Sequence, residues 1–262
     1  MAILLIDIGN TRIKWADCEH HLGQLQAEVH KTIVDKSAFF EKLWGPLPRP
    51  SAVWVANVAG TEIAEKLNNW IQQRWQLTVN WVSSAQHQCG IVNDYDYPEQ
   101  LGVDRWLAVL AARQLVPTNQ VCVVDCGTAV TLDVLTQNHY IGGLIVPGRI
   151  AMQQALLKQT DALASLLQQP ATQVNLLATN TTDGIQWGSL YAIVGLIRHL
   201  LEQLQQQVPE TTLLLTGGGA FELLPYLPET TRYVPELVLH GLWTVANTSC
   251  GYNHVEFNDE KA

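Results

Sequence analysis

Leu5-Ile6-Asp7-Ile8-Gly9-Asn10-Thr11 and Val123-Val124-Asp125-Cys126-Gly127-Thr128-Ala129 follow one plan. Each is an apolar run that reaches an aspartate, one residue, a glycine and then a small residue or two. An apolar run stopped by glycine reads as a buried strand entering a tight turn. A strand-turn-strand unit occurring twice in one chain predicts two related α/β halves facing each other across a cleft.

The neighbouring sequence extends this plan. After the first turn, residues 13–16 read as the return strand of a hairpin; residues 53–58 and 77–82 read as further strands. Ile63, Leu67, Trp70 and Ile71 fall on one face of a helix over residues 62–75. Residues 45–50, Gly-Pro-Leu-Pro-Arg-Pro, form a loop. The second half opens near Pro117, dividing the chain into residues 1–116 and 117–262. Strands are expected over residues 121–125, 130–136, 139–146 and 212–216. Leu190, Ile193, Val194, Ile197, Leu201 and Leu204 trace one stripe of a long helix. Such a stripe is usually packing, and it also suits an interface helix. Gly217-Gly218-Gly219 then leads into a helix from Ala220, and the polar tail after Gly251 reads as loose.

The turns carry the chemistry. Gly9 allows a tight turn whose N–H groups can point at phosphate oxygens. Asn10 and Thr11 add side-chain donors, Asp7 can bind Mg²⁺ directly or through water, and Lys14 can place a point charge on a phosphate. Asp125 to Ala129 repeats the arrangement, so the two turns together form a cradle for a metal–triphosphate. The Gly217 to Ala220 turn lets a nucleobase or ribose lie close to the backbone. No lysine follows a glycine, which excludes a Walker A loop, and His-Arg-Asp does not occur.

Composition excludes other classes. The 262 residues are 47% hydrophobic and 15% charged, which is a globular balance. Twenty-four acidic against 15 basic residues give a net charge of −9. A chain so acidic is a poor nucleic-acid binder and must meet anions with local donors. The apolar start is too short for a signal peptide core or a membrane span. Five scattered cysteines make no metal spacing and suit a reducing cytoplasm; Cys122 and Cys126 read as buried free thiols on one face of a strand.

The order of the three glycine turns resembles the acetate and sugar kinase/Hsp70/actin superfamily, and one family within it matches nearly the whole chain. The residues that carry the match are Asp7 to Thr11, Tyr95-Asp96-Tyr97-Pro98 leading to Leu101-Gly102-Val103-Asp104-Arg105, and Asp125 to Thr131. Gly142-Gly143, Pro147-Gly148, Asn180-Thr181 with Gln186, and Leu213 to Gly218 add to it. On these the chain is similar to type III pantothenate kinases. The resemblance implies two RNase H-like, actin-like ATPase halves with a nucleotide cleft, and phosphorylation of pantothenate by ATP as the first step toward coenzyme A. It implies that Asp104 is the general base and that Arg105 grips the pantothenate carboxylate, with Tyr95, Gly102, Val103 and Thr181 as further substrate contacts. Asp7, Ile8, Gly9, Asn10, Thr11, Arg12, Ile13, Lys14 and Thr128 would hold ATP with Mg²⁺, and Asp125 the monovalent cation, K⁺ or NH₄⁺. A homodimer is implied as well.

Overall fold

The computed structural model describes residues 2–116, 119–158 and 176–249. It divides into two compact units, Met1–Pro117 with Asn138–Ile141 and Glu236–Ala262, and Thr118–Gln137 with Gly142–Pro235. The expected single boundary near residue 116 differs from this division, because the chain returns to the first unit twice. The polar tail after Gly251 lies outside the described residues.

The first unit is built on β1 (Ile3–Ile8), β2 (Arg12–Cys18), β3 (Gln26–Val29), β4 (Ala52–Asn57) and β5 (Val79–Trp81), in the sheet order β3-β2-β1-β4-β5. β1 pairs antiparallel with β2, with Ile8 opposite Ile13, and parallel with β4. Helices α1 (Lys36–Trp44) and α2 (Thr61–Trp75) make the crossovers. They bury Phe40, Trp44, Leu67, Trp70 and Ile71 against Leu4, Ile6, Ile13 and Val55. Asp35 caps α1, its carboxylate accepting the Ala38 N–H at 3.0 Å.

The second unit repeats that plan. Its strands β8 (Gln120–Cys126), β9 (Ala129–Thr136), β10 (His139–Pro147, of which the part from Gly142 onward belongs to this unit), β11 (Thr212–Thr216) and β12 (Arg232–Tyr233) lie in the order β10-β9-β8-β11-β12. β8 again pairs antiparallel with its hairpin partner β9 and parallel with β11. The duplication seen in the two turns thus extends to the whole sheet. Cys122 and Cys126 are buried free thiols on one face, and burial pushes both up to about 12.

Helices α4 (Arg149–Lys158) and α5 (Thr181–Gln207) follow β10. The α5 stripe from Leu190 to Leu204 is consumed inside this unit, packed on Val124, Leu132 and Leu213. An interface must therefore use other residues. The helix expected from Ala220 is short, α6 (Ala220–Leu223), and Pro225 sits in the 3-10 turn that follows it.

Four further elements position the site within the first unit. Two short strands, β6 (His87–Gln88) and β7 (Ile91–Asn93), pair with each other, and β7 pairs with the first residues of β10, His139 and Tyr140. Helix α3 (Val103–Leu115) packs against α7 (Leu237–Ser249), which also contacts β1, β2 and β4. Both helices are buried almost throughout, which is why the last helix returns to the first unit. None of the helices among the described residues is long and apolar enough to cross a membrane.

Within α7, burial lowers His240 from 6.5 to about 4. A histidine kept neutral by folding takes up a proton more readily when unfolded, so acid favours the unfolded chain. Stability should therefore fall as pH drops from about 6.5 to 4, by on the order of 2–3 kcal/mol from this residue. His30 is lowered as well, chiefly by burial, and adds in the same direction. In His240→Leu the melting temperature should depend less on pH across that window; an unchanged profile would contradict the assignment.

Candidate active site

Asp7 is buried near the end of β1 and lies opposite Lys14 in the ladder. The loop between β1 and β2 is Gly9 to Thr11, closed by the Gly9 N–H donating to the Arg12 carbonyl at 3.0 Å. Ile8 and Ile13 point into the core, so toward a ligand they offer backbone groups only. Asn10 and Arg12 are exposed and Thr11 is half-buried. The Lys14 ammonium pairs with Glu236 at 2.7 Å, a partner its sequence neighbourhood did not suggest.

His30, which sequence reasoning passed over, holds this turn from behind. Its Nε2–H donates to the Gly9 carbonyl at 2.7 Å and its backbone N–H to the Thr11 carbonyl at 3.1 Å. The Lys36 ammonium in turn donates to the His30 carbonyl. A cavity of about 210 Å³ opens beside the turn, lined among others by Asn10, His30, Lys31, Lys36, Glu62 and Lys66. Cations dispersed along an acidic chain thus come together next to the expected phosphate turn. Sequence spacing carried no signal of this, because the lysines come from three separate segments.

In the second unit the other glycine segments converge on Asp125. The β8–β9 connection is Gly127-Thr128, with the Gly127 N–H bonded to the Ala129 carbonyl at 2.9 Å. Gly148 donates its N–H to the Thr128 carbonyl at 3.0 Å, and Gly219 donates to the Cys126 carbonyl at 2.9 Å. Gly217 has φ of +89°, and a β-carbon there would stand 2.3 Å from an Asp125 carboxylate oxygen and 2.7 Å from the Cys126 nitrogen. Only glycine meets both demands. Asp125, Thr128 and the Gly217–Gly219 turn are therefore assembled in one place.

The Gly102 to Arg105 segment begins α3. Asp104 is half-buried in the first helical turn, and its Oδ1 accepts the Arg105 N–H at 2.8 Å. Val103 is buried, so toward a substrate it presents backbone. Arg105 is buried too. One of its guanidinium nitrogens donates to the Tyr140 hydroxyl at 2.9 Å and another lies 3.5 Å from the Tyr95 hydroxyl. Tyr95, Asp104 and Arg105 are thus brought together in the first unit. Thr181 opens α5 in the second unit, exposed, directly after Asn180, whose side chain accepts the Asp183 N–H at 2.9 Å.

Two repeats of the sheet order β3-β2-β1-β4-β5, each with an acid-ended glycine hairpin, define the actin-like α/β class that includes the acetate and sugar kinases, Hsp70 and actin. MreB 5 of Spiroplasma citri bound to AMPPNP shares this fold, with a TM-score of 0.51 at 9% identity over 95% of this chain and 97% of that one. A Baf family transcriptional activator from Campylobacter jejuni superposes with a TM-score of 0.63 at 21% identity, covering 95% and 99% of the two chains. Residues 3–203 match the family type III pantothenate kinase. The type III pantothenate kinase of Nitrosococcus oceani is 36% identical over 250 residues, covering 93% of each chain. The chain belongs to the type III pantothenate kinase family.

Proposed function

We propose that this chain transfers the terminal phosphoryl group of ATP to the hydroxyl of pantothenate, giving 4'-phosphopantothenate, the first step of coenzyme A biosynthesis. The observation that carries this reading is Asp104 beside a buried, oriented Arg105 at the start of α3, in a chain of this family. Arg105 takes the pantothenate carboxylate, where a guanidinium fork gives direction as well as charge. Tyr95, the Gly102–Val103 backbone and Thr181 complete the contacts. Asp104 orients the hydroxyl and takes its proton late, since phosphoryl transfer passes through a loose transition state in which positioning and charge dominate. The β1–β2 turn from Asp7 to Lys14 and Thr128 of the second turn hold the phosphates.

Among the described residues no group of three or more His, Cys, Asp or Glu could hold a metal ion. The donors present fit ions that arrive with phosphate or bind carbonyl oxygens. Mg²⁺ held at Asp7 with the nucleotide would neutralise phosphate charge. Asp125 would hold K⁺ or NH₄⁺. The buried thiols fit a reducing cytoplasm. The chain works as a homodimer on this reading, supported by exposed apolar side chains on β10 and α4: Ile145 at 60%, Ile150 at 62% and Leu156 at 49% exposure.

Purified protein with ATP, Mg²⁺ and pantothenate should form phosphopantothenate, faster in K⁺ than in Na⁺. Folded protein that makes none in either salt would refute the reading. Equal rates in the two salts would remove Asp125 from the cation role and leave the kinase standing.

A further inference from the structure

Lys31, Lys36 and Lys66 meet at the cavity of about 210 Å³ beside the β1–β2 turn, in a chain whose net charge is −9. Lys31 follows β3, Lys36 opens α1 and Lys66 lies in the second turn of α2. Glu62 is the one carboxylate among the lining residues, so three ammonium groups against one acid leave two positive charges. Glu62 already pairs with Lys66 at 2.6 Å, an exposed i,i+4 contact of the kind that contributes little. The Lys31 ammonium and the Asn10 amide have no partner among the described residues. Burial lowers Lys36 from its ordinary value, and the positive charge of Lys66 adds to that. Like charges gathered this closely repel one another until an anion joins them. His30 lines the same cavity, with Nε2 on the Gly9 carbonyl and Nδ1 buried without a hydrogen-bond partner among the described residues.

We propose that this cavity binds a phosphate-type dianion, additional to any nucleotide phosphate held by the turn, with Lys31, Lys36 and Lys66 as its counter-charges. The charge count selects a dianion. The residue type selects phosphate over carboxylate. An ammonium is a compact point charge with three donors and meets tetrahedral oxygens from several directions, whereas a planar carboxylate is matched by an arginine fork, and no arginine lines this cavity. Asn10 belongs to the turn as well as to the cavity lining, and His30 holds the Gly9 and Thr11 carbonyls, so an anion here braces the turn. The binding itself needs no nucleotide and does not rest on the kinase reading.

Titration calorimetry of the full chain with inorganic phosphate tests it, without nucleotide and at slightly alkaline pH, where phosphate is a dianion. Wild type should bind phosphate with an affinity that falls as KCl is added. The double variant Lys31→Ala, Lys66→Ala should bind at least about tenfold more weakly, because two charged donors are lost and Glu62 is left to repel the anion. Glu62→Gln should bind more tightly than wild type, a gain that a packing defect cannot produce. No binding by wild type, or unchanged affinity in the double variant, would overturn the proposal. Melting curves check that the variants fold. Lys31→Glu, at an exposed position, replaces the double variant if that one does not, and unchanged affinity there counts equally against the site. A second titration is run with AMPPNP and Mg²⁺ at saturation. Phosphate binding that persists is the expected result; displacement would refute a separate site, since the nucleotide's own phosphates would then fill the cavity. A chain that binds phosphate but no AMPPNP would sink the kinase reading and leave the anion site standing. Glycerol phosphate binding as tightly as orthophosphate assigns the cavity to phosphomonoesters, and orthophosphate alone to the free ion; either result upholds the site.

Discussion

Asp104→Asn is expected to lower kcat by roughly 10²–10⁴-fold, the usual value of general-base catalysis, while nucleotide affinity stays close to wild type. The substitution is unusually clean here. The Oδ1 that accepts the Arg105 N–H at 2.8 Å is retained by asparagine, so the side chain stays oriented and the first turn of α3 keeps its bond. What disappears is the ability to take a proton. Arg105 and its tyrosine partners are untouched, so KM for pantothenate should move much less than kcat. Steady-state kinetics and calorimetric titration of the nucleotide check both halves. Near-full turnover in the variant would remove Asp104 from the base role and leave it as a charged first-turn residue of α3.

Gly241→Ala should cost stability on a similar scale. A β-carbon at 241 would lie 2.0 Å from the Leu107 carbonyl oxygen and 2.5 Å from its carbonyl carbon. Both belong to the backbone of α3, so no side chain can swing away and the two helices must separate. Overpacking of this kind costs about 1–3 kcal/mol, and the backbone contact places it at the upper end. For a chain of this size a loss of about 3 kcal/mol corresponds to a melting temperature lower by roughly 6–12 °C. The control is Gly195→Ala on α5, where a β-carbon would meet nothing within 4 Å and should leave stability level or slightly raised. Similar melting temperatures for the two variants would contradict the close approach of α3 and α7. The consequence for function is direct, because α3 carries Asp104 and Arg105 at its first turn. A shift of that helix moves the residue proposed as the base.

Much of the candidate site's local geometry was legible because it depends on consecutive residues. A hairpin ending in Asp-x-Gly needs only consecutive residues, and both occurrences form the expected turns between β1 and β2 and between β8 and β9. The Gly217 turn was legible for the same reason. Lys14 shows where that kind of reading runs out. Its place in the turn motif was plain, but Glu236, more than two hundred residues away, cannot be assigned to it without the return of the chain to the first unit. His30 is a similar case. Nothing in its neighbours marks it, and its role comes from lying behind Gly9 and Thr11 once β3 has paired with β2.

The helices divide in the same way. Periodicity located α2 and α5 because one face of each is apolar and the other polar. It could not say whether the α5 stripe meets its own unit or a partner, since a buried face and an interface face have the same composition; the packing on Val124, Leu132 and Leu213 decided that. α7 was hidden, being apolar nearly all round, and only its seat against α3 explains why. Two related halves, the order of the three glycine turns and the family were determined by the sequence by itself, because each depends on short spacings and on strand runs that stop at glycine. The placing of α7 with the first unit, the gathering of Lys31, Lys36 and Lys66, and the capture of Arg105 by Tyr140 were decided only by tertiary structure. They join residues far apart in the chain, and no local energy term records which distant partner a buried group will meet.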